Sequence, residues 1–438
     1  MVRGTGAVPT LQNNTCSKNM RHGIFFLSGA KGTAEQNTCS ENGHFGIIAY
    51  GEGTQPTLVA NRCSNNARTG MVFWDVDGGL ADKNVCSSNG RHGIAVADGP
   101  SKPRILHNTC ANNAGAGIYC PHFCNAVVAN NYISDNAEIG SRQVRNLLYK
   151  RKYAELEQMA ARLRTRKYRF IDGNWQLVDF YKSLAYSYGS KETFEDAIST
   201  RRLDEWIKQN PESSTPWIAK AEAYTYLAWR ARTGNFAAEV LAQNWKGFRE
   251  KLLLAKEALA KAENLKPKDP HLYSVYLSTA MGLNAPDLVS EHLFNMGVSI
   301  EPGYLPLYYA RAIALLPRWG GQQGALKAFA SKAVERFEPG EADALYTRIA
   351  HAVLLYAGPR STKDHDFSYE RIKRGYPSIL KAYPKATGYL DGYCAFACLN
   401  KDKKLARDLF EQIGEDWSQA CWDTAKCFSS YKAWAFMD

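Results

Sequence analysis

Apolar and polar positions recur on two different clocks along this chain. In the first third, short apolar runs at Ile24 to Phe26, Ile47 to Ala49, Met71 to Phe73 and Ile94 to Val96 alternate with polar stretches rich in asparagine and glycine. Runs of that length and composition predict short β-strands between tight turns. Beyond Gly140 the asparagines and glycines thin out, and apolar residues fall one helical turn apart, as at Leu156, Met159, Ala160 and Leu163. That spacing predicts amphipathic helices.

The strand region repeats column by column. Asn14, Asn37, Asn61, Asn84, Asn108 and Asn131 stand 23 or 24 residues apart. In step with them run the columns Cys16/Cys39/Cys63/Cys86/Cys110/Ile133, Asn19/Asn42/Asn66/Asn89/Asn113/Asn136 and Gly23/Gly46/Gly70/Gly93/Gly117/Gly140. Such a period is too short for paired helices, and a single coil of this size cannot bury its own apolar residues. Stacked coils can, with like residues ~4.8 Å apart, so six coils make a rod ~29 Å long. The expectation for residues 1–140 is a right-handed parallel β-helix of about six coils, with cysteines stacked inward and asparagines hydrogen-bonded along the stack. The region resembles the parallel β-helix repeat proteins, in the superfamily that contains pectate lyases and polygalacturonases.

That resemblance implies a fold more than an activity. Its hydrolases and lyases use clustered aspartates on the outer face, and Asp75 and Asp98 would be neighbours one coil apart, with Asp77 close by. The turn pairs Asp77-Gly78 and Asp98-Gly99 explain the same carboxylates without chemistry. The histidines of Arg21-His22-Gly23 and Arg91-His92-Gly93 would lie three coils, ~14 Å, apart, too far to act together. The outward columns Phe25/Ile48/Val72/Ala95/Tyr119 and Leu27/Tyr50/Trp74/Ala97/Pro121 form an apolar stripe that needs a cover. Either helices fold back over it, or Tyr50 and Trp74 stack on a polysaccharide whose hydroxyls bond Asp75, Asp98 and His122.

Residues 141–438 read as about fourteen helices joined by short breaks such as "KPKDP", "EPG" and "YPKA", an α-solenoid. The segment from Asn264 to Tyr304 looks like a tetratricopeptide repeat. The order of "LLYKRKYAELEQMAARLRTRKYRF", "LLPRWGG" and "CAFACLNKDKKLARDLFEQIGEDW" resembles an uncharacterised bacterial family known only as a domain of unknown function with tetratricopeptide-like helices. The whole is therefore expected to be an all-α tetratricopeptide-like solenoid appended to a β-helix. Tyr304, Tyr308 and Tyr309 with Arg311 either line a peptide groove or fill the core between hairpins. Trp319, with Arg318, follows a helix-ending proline and is either an inter-helix wedge or a ligand-stacking residue.

Composition adds three constraints. The formal charge is +11, and residues 142–169 carry ten basic side chains against Glu155 and Glu157. Arg162, Arg164 and Arg166 could thus face an anionic partner, or form a solvated helix face. The eleven cysteines include a column best read as buried thiols, which argues for a reducing compartment. Neither "CPHFC" (Cys120 to Cys124) nor the group Cys394, Cys398, Cys421 and Cys427 makes a convincing zinc set. No cofactor is expected, no apolar run is long enough to span a membrane, and the pattern already running at Leu11 suggests an incomplete start. The functional expectation is a non-catalytic scaffold that binds a protein or peptide. A polysaccharide is the alternative, and nucleic acid is not expected.

Overall fold

A computed structural model describes the chain except for residues 98–100, 121–124, 135, 137–140, 171, 186–192, 234–238, 364–366, 385, 415–416, 418, 423 and 438. Its first region is a parallel β-solenoid with three sheets, each built from one strand per coil. The first sheet stacks Val2–Arg3, Ile24–Leu27, Ile47–Tyr50, Met71–Trp74, Ile94–Val96 and Ile118–Tyr119. The second stacks Thr10–Gln12, Thr33–Glu35, Thr57–Val59, Leu80–Asp82, Arg104–Leu106 and Val127–Ala129. The third holds five strands, Thr38–Ser40, Arg62–Ser64, Val85–Ser87, Thr109–Ala111 and Tyr132–Ser134. The solenoid therefore makes about five turns rather than the expected six. In the first coil the third side is only an isolated bridge from Thr15 to Thr38, although Cys16 still donates its N–H to the Thr38 carbonyl.

The register is the one the columns imply: Cys39 pairs with Cys63, Cys63 with Cys86, Cys86 with Cys110 and Cys110 with Ile133. Cys39, Cys63, Cys86 and Cys110 are buried free thiols in one continuous core with Phe26, Phe73, Leu58 and Ile105. Burial pushes the Cys63 thiol well above its ordinary pKa. Buried polar groups need partners, and the asparagines supply one another's. The Asn66 backbone N–H and Nδ2 both donate to Asn89 Oδ1, at 3.1 and 3.0 Å, while Nδ2 also donates to the Cys39 carbonyl at 3.0 Å. The same arrangement repeats at Asn42, Asn89 and Asn113. The glycine column answers to close approach: a Cβ on Gly46 would lie 2.6 Å from the Gly70 carbonyl oxygen and 3.0 Å from Cys63 Cβ.

Fifteen α-helices follow among the described residues. They are α1 (Ser141–Tyr149), α2 (Tyr153–Arg166), α3 (Gln176–Ala185), α4 (Thr193–Gln209), α5 (Ser214–Arg232), α6 (Ala242–Glu263), α7 (Pro270–Gly282), α8 (Asp287–Ile300), α9 (Leu305–Ala314), α10 (Ala325–Ala333), α11 (Pro339–Lys363), α12 (Tyr369–Ala382), α13 (Thr387–Leu399), α14 (Lys403–Ile413) and α15 (Ala425–Phe436). Packing divides the chain into two units. One comprises Met1–Phe170 with Asp179–Trp206, the other Ile171–Val178 with Ile207–Asp438.

In the first unit, α2 buries Leu156, Met159, Ala160 and Leu163, the face its spacing predicted. Glu205 on α4 accepts from Arg151, Arg202 and the Tyr153 hydroxyl, and those guanidiniums hold its carboxyl near a pKa of about 2. In the second unit, consecutive helices pack as pairs. Each of α5, α7, α9 and α11 also touches the next odd-numbered helix, so the odd helices form one continuous layer of a repeat stack.

Two helix boundaries depart from the periodicity. Apolar spacing predicts one helix from Asp416 to Phe436, but the structure has a 3-10 turn at Gln419–Cys421, and α15 begins where the Thr424 hydroxyl accepts from the Cys427 N–H. Apolar spacing likewise predicts a helix from Gly340 to Ala357; in the structure it runs on as α11, broken at Gly358 (φ 77°, ψ 167°) just before Pro359.

Candidate functional site

On the solenoid, parallel pairing places Tyr50 directly beside Trp74. Their rings meet edge to face at 5.7 Å, and both are exposed, at 45% and 44%. Asp75 follows in the left-handed region (φ 53°) and is exposed too. Asp77 has a structural partner, since its Oδ2 accepts from the Gly53 N–H at 2.9 Å. Asp98 and His122 lie outside the described residues. The adjoining outward column behaves differently. Ile48, Val72 and Ala95 are buried in a small cluster completed by Phe25, Phe45 and Ala97. His22 stacks on Phe45 at 5.2 Å and His92 on Tyr119 at 4.6 Å. Burial lowers His92 to a pKa of about 3.

Among helical residues, Tyr304 and Tyr308 are fully buried, so they fill the space between helices instead of facing a groove. The Tyr304 hydroxyl meets His271 Nδ1 at 2.9 Å, and its ring meets Trp175 at 4.9 Å. Tyr308 donates to the Pro302 carbonyl at 2.6 Å, and burial pushes its phenol up to about 12. Arg311 on α9 grips Asp287 on α8 through two bonds of 2.6 and 2.9 Å, which holds that carboxyl below its ordinary pKa.

Arg318 and Trp319 sit in the 3-10 turn Pro317–Trp319. Trp319 meets Trp229 edge-on at 5.2 Å and donates its indole N–H to the Tyr356 hydroxyl at 3.1 Å. Arg232 at the end of α5 lies 6.0, 5.2 and 5.3 Å from the rings of Trp229, Trp245 and Trp319. Three tryptophans thus surround one guanidinium. The exposed Arg318 lies over Trp319 and Tyr356 at 5.6 and 5.0 Å. In the basic segment, Arg162 and Arg166 are exposed, whereas Arg164 reaches the Tyr181 hydroxyl at 3.4 Å. Two of the segment's other cations, Arg151 and Lys152, meet Glu205 and Glu155.

One concavity was not apparent from the sequence. A groove of about 1000 Å³ in the second unit is lined by Pro359 of α11, Cys398 and Leu399 of α13, Lys401, Thr424, and Lys426, Cys427, Ser430, Tyr431 and Trp434 of α15. The α15 residues Cys427, Ser430, Tyr431 and Trp434 fall at helical i, i+3, i+4 and i+7, a spacing that reads as core in any helix. Here that stripe faces the opening. Two of the nearby thiols point elsewhere: Cys394 Sγ approaches the Ala406 carbonyl at 3.8 Å and Cys421 Sγ the Gly388 carbonyl at 3.6 Å. No cluster of His, Cys, Asp or Glu able to hold a metal occurs among the described residues. Nor is any described helix long and apolar enough to cross a membrane.

A second polar assembly, also unforeseen, is closed. Arg348 is buried, donates to the Asp172 carbonyl at 3.1 Å and to the Tyr389 hydroxyl, and lies 5.0 Å from the Tyr383 ring. Beside it His351 Nδ1 meets the Tyr376 hydroxyl at 3.0 Å, and burial with the Arg348 charge lowers His351 to about 3.

Residues 1–146 match the family described as "Right handed beta helix region", and residues 141–296 match the one described as "Domain of unknown function (DUF4034)". No curated protein matches the chain. Among solved structures, one similar chain belongs to the "Crystal structure of APC/C hetero-tetramer Cut9-Hcn1". It is 12% identical with a TM-score of 0.31, and the alignment covers 68% of this chain and 48% of that one. This chain thus spans about half the length of that relative.

Proposed function

We propose that the protein is a non-catalytic binding protein whose helical repeats hold a peptide segment of a partner protein. The observation that carries the reading is the groove between α13 and α15. Its volume lies in the range of ligand sites. Pro359, Leu399, Tyr431 and Trp434 offer an apolar floor, and Lys401 and Lys426 offer two cations. Thr424 and Ser430 add hydroxyls for backbone contacts. An apolar anchor flanked by carboxylates is the chemistry such a lining accepts. The strongly shifted histidines, His92 and His351, are enclosed in packing and do not present an acid or base to this opening.

The test is a fluorescence-polarisation screen of the full-length protein against dodecapeptides that pair one Trp, Phe or Leu with two to four acidic residues. Trp434→Ala should weaken the best binder by roughly tenfold or more, as truncating an aromatic anchor does. Lys401→Glu with Lys426→Glu should weaken it further at low salt. Binding unaffected by either variant would reject the groove.

Exposure of Tyr50 and Trp74 favours a second reading, in which the solenoid face binds a polysaccharide by ring stacking with Asp75 on its hydroxyls. A glycan array probed with the full-length protein and with Trp74→Ala separates the two readings. Loss of a glycan signal with Trp74→Ala supports the solenoid face, and peptide binding sensitive to Trp434→Ala supports the groove.

A further inference from the structure

One corner of the solenoid carries a line of basic side chains, three arginines and a histidine, that the proposed peptide groove does not employ; His44 also meets the His22 and Phe45 rings at 5.5 and 6.1 Å. Arg21, His44, Arg68 and Arg91 occupy the same position in four successive coils. Their backbones are bonded rung to rung: the His44 N–H donates to the Arg21 carbonyl at 2.6 Å, Arg68 to His44 at 2.9 Å and Arg91 to Arg68 at 2.8 Å. Arg21, Arg68 and Arg91 are exposed. The nearby Glu41 meets Lys18 at 4.0 Å. None of the three arginines forms a side-chain ion pair among the described residues. Residues 1–140 hold nearly equal numbers of acidic and basic side chains, so the line reflects sorting by face, not an overall excess. His22 feels the result. Burial chiefly lowers it to a pKa of about 4, with His44, Arg21 and Arg68 adding to the effect.

The arginine charges, held one or two coils apart, repel one another, and an anionic partner with a matching repeat relieves that repulsion. The rings beside the line are already paired with each other, His22 on Phe45 and His92 on Tyr119. The residues just before these four are Met20, Gly43, Ala67 and Gly90, and three of them are small, which leaves a low ledge along the line. From Arg21 to Arg91 is three coils, ~14 Å. Three turns of an α-helix rise ~16 Å, and glutamates one turn apart stay on one face. An extended acidic strand places same-face carboxylates ~6.8 Å apart, so three intervals reach ~20 Å and fall out of step.

We propose that the Arg21/His44/Arg68/Arg91 line is a docking strip for an acidic α-helix of a partner protein, laid parallel to the solenoid axis. The test uses the full-length protein and two labelled, helical peptides of identical composition. In one, glutamates sit at i, i+4, i+7 and i+11. In the other they are spread around the helix. The striped peptide should bind at least tenfold more tightly, lose that advantage with Arg68→Glu plus Arg91→Glu, and weaken steeply with salt. Arg68→Gln plus Arg91→Gln gives a graded loss should charge reversal disturb folding, and thermal melts of each variant check that point. Arg162→Glu plus Arg166→Glu should leave the binding unchanged. Equal affinity for the two peptides, or loss with the Arg162/Arg166 pair in place of the Arg68/Arg91 pair, overturns the proposal. So does tighter binding of an oligothymidylate or a polygalacturonate than of the striped peptide.

Discussion

In the solenoid, the asparagine and cysteine columns bring the same residue type together one coil away; in the helical unit, contacts follow no such period and several span more than a hundred residues. Asn84 bonds Asn61 and Asn108, 23 and 24 positions off. Trp175 donates to Gly303 across 128 residues, and Arg348 to Asp172 across 176. The difference lies in how an error propagates. In a stack of like residues, every side chain is both donor to one neighbour and acceptor from another, so a substitution strips partners from two coils at once. In the helical unit, each contact is a private arrangement of a few rings and a charge, and its loss stays local.

The sharpest check on that contrast is Asn84→Ala. Asn84 is fully buried; its Oδ1 accepts from the Asn61 N–H and Nδ2, and its own Nδ2 donates to Asn108 Oδ1 and the Leu58 carbonyl. Removal takes that partner from four polar atoms, the Asn61 N–H and Nδ2, Asn108 Oδ1 and the Leu58 carbonyl, which should cost about 4 kcal/mol, measured by urea denaturation. Asn14→Ala, at the exposed end of the same column, should cost under about 1 kcal/mol. Equal costs at the two positions would mean the column does not act as a ladder.

This ladder is also where the sequence was most readable. A strict period with fixed residue types specifies register, facing and burial together, so the cysteine, asparagine and glycine columns can be placed from the sequence alone. The incomplete first coil was not readable, because Thr15 and Cys16 keep the pattern while making only one bridge. In the helical unit, periodicity located the helices but not what each apolar face meets. Tyr304 and Tyr308 have the spacing of either a groove or a core, and they are core. Tyr431 and Trp434 have a similar spacing and line a groove. Only the tertiary neighbours of α15 separate the two cases. The cation line at Arg21, His44, Arg68 and Arg91 was visible residue by residue. It acquires meaning only once the coils are stacked, since its members are three arginines and a histidine in no recognisable motif.

Acid should weaken both units, chiefly through the most strongly shifted histidine in each. His92 in the first and His351 in the second have folded pKa values of about 3, far below the unfolded value near 6.5. Between those values the unfolded chain binds protons that the folded chain refuses. Their stabilising contribution is therefore complete above about pH 6.5 and declines as pH falls toward about 3. Each histidine should contribute a slope of at most about 1.4 kcal/mol per pH unit in that window. Guanidinium melts of the intact protein at pH 7, 6 and 5 check the sign. His92→Phe should flatten the pH response of the solenoid unit alone, and a matching change in the second unit would show that the two titrate as one.

A much smaller effect than at Asn84 is expected at Arg232, where the helical unit looks most elaborate. Its guanidinium lies near three tryptophans and bonds the Thr233 carbonyl at 3.3 Å. A desolvated cation over aromatic faces is worth about 2 kcal/mol, but burying the charge costs part of that back. Methionine keeps the length and apolar contact of the stem and removes the desolvation cost. Arg232→Met should therefore destabilise by about 1 kcal/mol, read by tryptophan fluorescence during denaturation. Arg232→Lys should be no better, because an ammonium lacks the plane that packs between rings. A loss at Arg232→Met as large as that at Asn84→Ala would show that the helical unit depends on single interlocked positions as strictly as the solenoid does.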